Sequence, residues 1–179
     1  MDGQYKTSFV LLILLLVGNA VNAEEVSTDQ SLFLQAEAVI DYFVEFDVPR
    51  EGSLANYGGV LPGGGLVFHW RPHPMIQLGA STNFSNWKNL GYCDLSTRAG
   101  VVVANRHVAF VPSVMIGLWV PVSHDKDRGG AGLVVGGGMT LWIRLSERMS
   151  LSIDFHGEYI FRSYSTMVLR PGIGIVFAL

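Results

Sequence analysis

The residues best suited to chemistry lie late in the chain: Ser152, Asp154, His156 and Glu158, in the run MSLSIDFHGEYIF. A hydroxyl, an imidazole and a carboxylate are the parts of a nucleophile, its base and the group that orients the base. In an extended chain this spacing puts all four on one face, but successive members stand about 7 Å apart along it. That is loose for a nucleophile–base hydrogen bond. A second polar set is Glu37, Asp41 and Glu45, and further charge stands at Arg71, Asp94, Arg98, Arg144 and Arg170, with His69 among them. His124, Asp125 and Asp127 offer donors to a divalent cation, yet they lack the spacing of a calcium loop. A solvated charged loop is the simpler account of them, and neither a metal nor a cofactor is expected.

The elements that must position these groups are extended strands. In Leu32–Phe46, LFLQAEAVIDYFVEF, the even positions carry no charge, whereas the odd positions hold every polar group. A period of two over this length gives a strand with one apolar and one polar face. At about 3.4 Å per residue it is long enough to cross a bilayer at a tilt. The pattern recurs at 57–71, 75–84, 92–104, 108–122, 131–144, 149–161 and 167–179, making eight strands. Pro112 and Pro121 weaken the fifth as a strand. Connections at 72–74, 105–107 and 145–148 are tight, while those at 47–56, 85–91, 123–130 and 162–166 are more polar and mostly longer. This alternation predicts an all-β, eight-stranded, antiparallel, up-and-down meander.

Composition narrows the class. The chain has 179 residues, enough for one domain. Met1–Ala23 has the layout of a secretory signal: Lys6, an unbroken apolar run from Phe9 to Val17, then Val21-Asn22-Ala23. The apolar run is too short to span a bilayer as a helix. A polar lead-in at 24–30 and a barrel over 31–179 follow. Cys93 is the only cysteine, so no intrachain disulfide can staple the fold. The net charge of −3 favours neither nucleic acid nor a polybasic membrane patch as a partner. Lysine occurs only at positions 6, 88 and 126, far fewer than a soluble surface carries.

Alternation alone does not say which face is outside. A soluble lipocalin-like barrel encloses its apolar face, and a membrane barrel encloses its polar one. The polar face here is rich in small residues, among them Gly79, Ser81, Ser96, Gly100, Gly117, Gly136, Gly138, Gly172 and Gly174. Small residues suit a narrow lumen, but they weaken a strand and bring a solvated surface nothing. Aromatic residues collect toward the strand ends: Phe68, Trp70, Phe110 and Phe177 at the turn end, with Tyr42, Phe46, Phe84, Tyr92, Tyr159 and Phe161 at the loop end. Two aromatic belts suit two membrane interfaces. The expected architecture is therefore a transmembrane β-barrel.

In pattern and strand count the chain resembles the small outer-membrane barrels of Gram-negative bacteria, the family of the outer membrane protein A transmembrane domain. The last strand, Ile173-Gly-Ile-Val-Phe177-Ala-Leu179, resembles the alternating C-terminal signal read by the barrel-insertion machinery, although that signal ends in Phe where this chain has Leu179. The resemblance implies residence in the bacterial outer membrane as a monomer, with outer-membrane lipid and the insertion machinery as partners. Some barrels of this kind act on lipid A with Ser, His and acidic groups, which keeps an enzyme reading of Ser152–Glu158 open.

On the membrane reading the lumen holds Glu37, Asp41, Glu45, Arg71, Asp94, Arg98, Arg144, Asp154, His156, Glu158 and Arg170. Charges in a narrow, poorly hydrated space must pair or neutralise. A plugging ion-pair network is expected, with Arg170 a partner for Glu37, Asp154 or Glu158. Its function would be structural or surface-interacting; a narrow solute channel, a lipid A-modifying enzyme and a lipocalin-like carrier are the alternatives. Trp119 and Trp142 fall on the polar face, either as lumen plugs or because the register slips there.

Overall fold

The computed structural model describes residues 32–45, 59–87, 90–122, 130–161 and 166–179. The signal-like segment, the lead-in, Phe46, the whole connection at 47–56, and most of those at 123–130 (with His124, Asp125 and Asp127) and 162–166 lie outside these, as do the side chains of Glu45, Trp87 and Leu90.

The strands are β1 (Leu32–Glu45), β2 (Val60–His73), β3 (Ile76–Trp87), β4 (Leu90–Val101), β5 (Val103–Ala104), β6 (Val108–Pro121), β7 (Gly132–Arg144), β8 (Met149–Phe161) and β9 (Thr166–Ala178). All pairings are antiparallel: β1 to β4 pair in chain order, β4 and β5 both pair with β6, β6 to β9 pair in chain order, and β9 pairs with β1. The sheet is thus closed and has no free edge, which satisfies the backbone internally as a lipid environment requires.

β4 and β5 are one stave, so the barrel has eight. Gly100 faces Ser113 and Val103 faces Phe110, in a single unshifted register. The missing rungs are those of Val101 and Val102, opposite Pro112 and Val111, and Pro112 has no N–H to give. On its other side the ladder runs unbroken through Pro112 and Met139. The gap at Pro112 spans two rungs, Pro121 keeps its pairing with Tyr92, and the strand stays intact.

A strand of 13 residues, tilted about 40°, rises about 34 Å, more than the ~25 Å apolar band of such barrels. Burial alternates along every stave with the polar side inward. In β1, Gln35, Glu37, Val39, Asp41 and Phe43 are buried, while Leu34, Ile40, Tyr42 and Val44 are exposed. Close packing inside explains the glycines. A Cβ at Gly138 would collide with the His156 ring and the Phe155 carbonyl, so that stave yields its volume to the imidazole.

One connection departs from expectation. In the polar run 85–91, residues 85–87 and 90–91 are strand, with Trp87 paired to Leu90. Polar residues that point into a charged lumen read like a loop in the sequence.

Candidate functional site

The lumen is built in layers. At the loop end Phe43, Leu61, Tyr92, Trp119, Val134, Ile160 and Val168 form a fully buried apolar cluster. The Tyr92 ring stands 5.6 Å from Phe43, edge-on, and 5.3 Å from Trp119.

Beneath it, Arg170 gathers three carboxylates from three staves. Its Nε donates to Asp41 Oδ1 at 2.5 Å, and its Nη1 donates to Asp94 Oδ2 at 3.0 Å and to Glu158 Oε1 at 2.6 Å. Asp41 Oδ2 also accepts from Ser85 Oγ at 2.5 Å and from the Tyr92 hydroxyl. The Asn83 amide, oriented by complementarity with its neighbours, donates to Glu37 Oε1 at 2.8 Å and accepts from Arg170 Nη1 at 3.2 Å. Below this, Arg98 Nη2 lies 3.8 Å from Glu37 Oε1, and Arg98 Nη1 donates to His156 Nε2 at 3.2 Å.

The turn half is a chain of hydrogen bonds with a consistent direction. Arg71 Nε donates to Gln77 Oε1 at 3.0 Å, and Gln77 Nε2 meets His69 Nδ1 at 2.9 Å. His69 Nε2 then meets Gln35 Oε1 at 3.1 Å. Gln35 Nε2 donates to Glu37 Oε2 at 2.7 Å and to Asp154 Oδ2 at 3.0 Å. With both amides so placed, His69 carries its proton on Nε2. Asp154 Oδ1 accepts from Thr140 Oγ1 at 2.6 Å. At the mouth the Arg71 guanidinium lies 4.7 Å from the centre of the Phe33 ring and 4.4 Å from that of Trp142, within cation–π range of both.

The arrangement brings together Glu37, Asp41, Asp94, Arg98, Asp154, His156, Glu158 and Arg170, all buried. Other expected members lie elsewhere. Arg144 is exposed at the end of β7: it has lumen parity but stands past the rim, where the tube no longer encloses it. Arg71 is only partly buried, and its side-chain contacts are with Gln77 and aromatic rings. Arg170 meets Glu158 as expected, but its other carboxylates are Asp41 and Asp94, whereas Glu37 turns to Arg98 and Asp154 to Thr140, Gln35 and His156.

Among the aromatics, Tyr42, Phe68, Trp70, Phe84, Phe161 and Phe177 are exposed on the outer face, Phe110 and Tyr159 are half-buried there, and the Tyr159 and Phe161 rings pack 4.8 Å apart. Tyr92 is a correction. It is fully buried inside, on the parity of Asp94, and serves the lumen as a hydrogen-bond donor. Trp119 and Trp142 are also buried inside, in unslipped registers. Sequence reading missed Gln77, Asn83, Ser85 and Thr140 as network members; the one signal for them is the same inward parity.

For the four residues that suggested hydrolysis, the geometry is unfavourable. Ser152, Asp154, His156 and Glu158 are all buried, with 3.7 Å between His156 Nε2 and Asp154 Oδ1. The Arg98 guanidinium occupies the same imidazole nitrogen.

No protein-family model matches the sequence, and no curated protein matches it. Among solved structures, the chain is similar to Neisserial surface protein A (TM-score 0.66, 9% identity, covering 83% of this chain and 97% of that one). It is also similar to Ail, the attachment invasion locus protein of Yersinia pestis (0.51, 13%, 84% and 100%), and to the outer membrane enzyme PagL (0.50, 7%, 81% and 99%). At these identities the likeness is one of fold. The fold is that of the small eight-stranded outer-membrane barrels.

Proposed function

We propose that the chain is an exported bacterial outer-membrane protein, a monomeric barrel with a plugged, charge-paired lumen that serves a structural or surface-interaction role. One observation carries this reading. Five carboxylates and two arginines are buried within the tube, while large apolar side chains such as Leu66, Val114, Ile116 and Ile173 are half exposed or more on its outside. In water that distribution would be inverted, as in a lipocalin-like carrier. In a bilayer it is the low-energy one, because the hydrocarbon takes the apolar band.

The layered lumen supports plugging over conduction. An apolar cluster lies across the loop end, and the tilted rings of Phe33 and Trp142 hold Arg71 at the turn end. Small solutes would have to break both. The similar structures are described variously as a surface protein, an attachment invasion protein and an enzyme, so the fold does not choose among roles. The burial of Ser152 and His156 weighs against catalysis here. The alternating strand β9 is the segment offered to the insertion machinery.

The test is extraction and gel migration. The protein should need detergent for solubility and should migrate differently before and after heating. Lipid-phase probes should find cysteines placed at Ile40 and Ile153 and miss those at Glu37 and Asp154. A protein soluble without detergent would overturn the membrane reading.

A further inference from the structure

The overall charge of −3 hides a local excess of the opposite sign. Among the described residues the arginines fall into two groups: Arg71, Arg98 and Arg170 in or at the mouth of the lumen, and Arg106, Arg144 and Arg148 exposed on the rim at the turn end. The first rim position is held by a tight hairpin. Asn105 N donates to Val108 O at 2.8 Å, and Asn105 Oδ1 accepts from His107 N and Val108 N, each at 2.9 Å. Arg106 is thereby fixed at the apex.

Neighbouring turns bring the other two alongside. Arg144 N donates to His107 O at 2.8 Å, which joins the end of β7 to this hairpin. Leu145 N and Ser146 N both donate to Met149 O, at 2.9 and 3.0 Å, closing the next turn, and Arg148 O accepts from Ala178 N at 2.9 Å. His73 and His107 are exposed at the same end, and Glu147 is the only acidic side chain described there. None of the three arginines has an ion-pair partner among the described residues.

Their depth is set by what lies just above them. Phe110 pairs with Leu141, and Phe177 with Met149, on the lipid-facing side. Arg144 is three residues beyond Leu141, an axial step of about 8 Å at a 40° tilt. The headgroup layer on one side of a bilayer is about 5–8 Å thick. Leu145, in the turn that carries Arg148, is 54% exposed beside these arginines. Guanidinium groups at phosphate depth, on stems that can lie along apolar surface, match phosphodiesters in charge and in fork geometry.

The geometry points to the rim of Arg106, Arg144 and Arg148 as a binding surface for anionic phospholipid headgroups in the turn-side leaflet. The inference rests on the membrane reading above. It adds a lipid preference that net charge gives no hint of.

The test uses the full folded protein in phosphatidylcholine vesicles carrying traces of spin-labelled phosphatidylglycerol or spin-labelled phosphatidylcholine. The motionally restricted fraction of each gives its relative association. Phosphatidylglycerol should be preferred roughly five-fold or more, since each basic residue near an anionic headgroup is worth about that factor. The variant R106Q/R144Q/R148Q should bring the preference close to one, and R106K/R144K/R148K should retain most of it. If the triple glutamine variant does not fold, R106Q alone, at a turn apex, should still lower the preference measurably.

Equal association of the two lipids with the wild type would overturn the proposal, as would an unchanged preference in a folded glutamine variant. Arginine-dependent binding of soluble heparin without phosphatidylglycerol preference would assign the rim to a soluble polyanion instead, and the proposal would fail. Failure to insert into vesicles at all would overturn the membrane reading itself, a distinct outcome.

Discussion

The Tyr92 hydroxyl of β4 donates across the lumen to Asp41 of β1, the carboxylate that also receives Arg170 and Ser85. One phenol thus belongs both to the apolar cluster at the loop end and to the charged layer beneath it. Its ring packs on Phe43 and Trp119 while its oxygen faces the acids.

Tyr92→Phe keeps the ring and deletes the donor, leaving a buried carboxylate short of one hydrogen bond. A loss of about 1–3 kcal/mol is expected. It should be read as a lower urea midpoint of the folded, heat-modifiable band. Tyr42→Phe, on the outer face, should stay within about 0.5 kcal/mol of the wild type; equal effects would contradict the inside–outside assignment.

Arg170→Leu removes the shared partner of Asp41, Asp94 and Glu158. Breaking a buried pair on one side costs about 3–5 kcal/mol, because the remaining charge stays buried. The urea midpoint of the variant should fall well below that of the wild type, and an unchanged midpoint would contradict the shared-partner role of Arg170.

Planar bilayers containing the wild type should show no steady conductance. The double variant Leu61→Ala/Trp119→Ala, which empties the loop-end cluster, should leak more than the wild type. A conducting wild type would contradict the plugged lumen.

Gly138→Val should prevent or strongly impair folding, since its side chain would collide with the Phe155 carbonyl and His156. Gly130→Ala meets nothing within 4 Å, and its midpoint should be unchanged within error. Refolding yield into detergent micelles distinguishes the two.

Much of this architecture could be read from the residues, because period-two patterning names both the strand and its faces. Leu32–Glu45 was plain for that reason, and so was Met149–Phe161. Pairings inside the tube were not readable. Arg170 reaches Asp41 and Asp94 because closure staggers staves whose relative heights no local pattern records. The place of Tyr92 near a strand end suggests a belt residue, whereas its parity with Asp94 puts it inside, where it is buried. Arg144 shows the opposite error: its parity was inward, but it lies beyond the point where the tube encloses anything. Ser85 reads as loop because hydrophilic residues signal a turn in soluble proteins, whereas here its hydroxyl serves the lumen.

The pairing of β1 with β9 has a consequence for biogenesis. The first-made strand must wait for the last before the cylinder can shut, so its contacts carry the longest possible loop-closure entropy. Until then Asp41 lacks the cation that arrives on β9. Assembly should therefore be late and all-or-none, with a truncated product lacking β9 remaining an open ribbon, exposed to proteases.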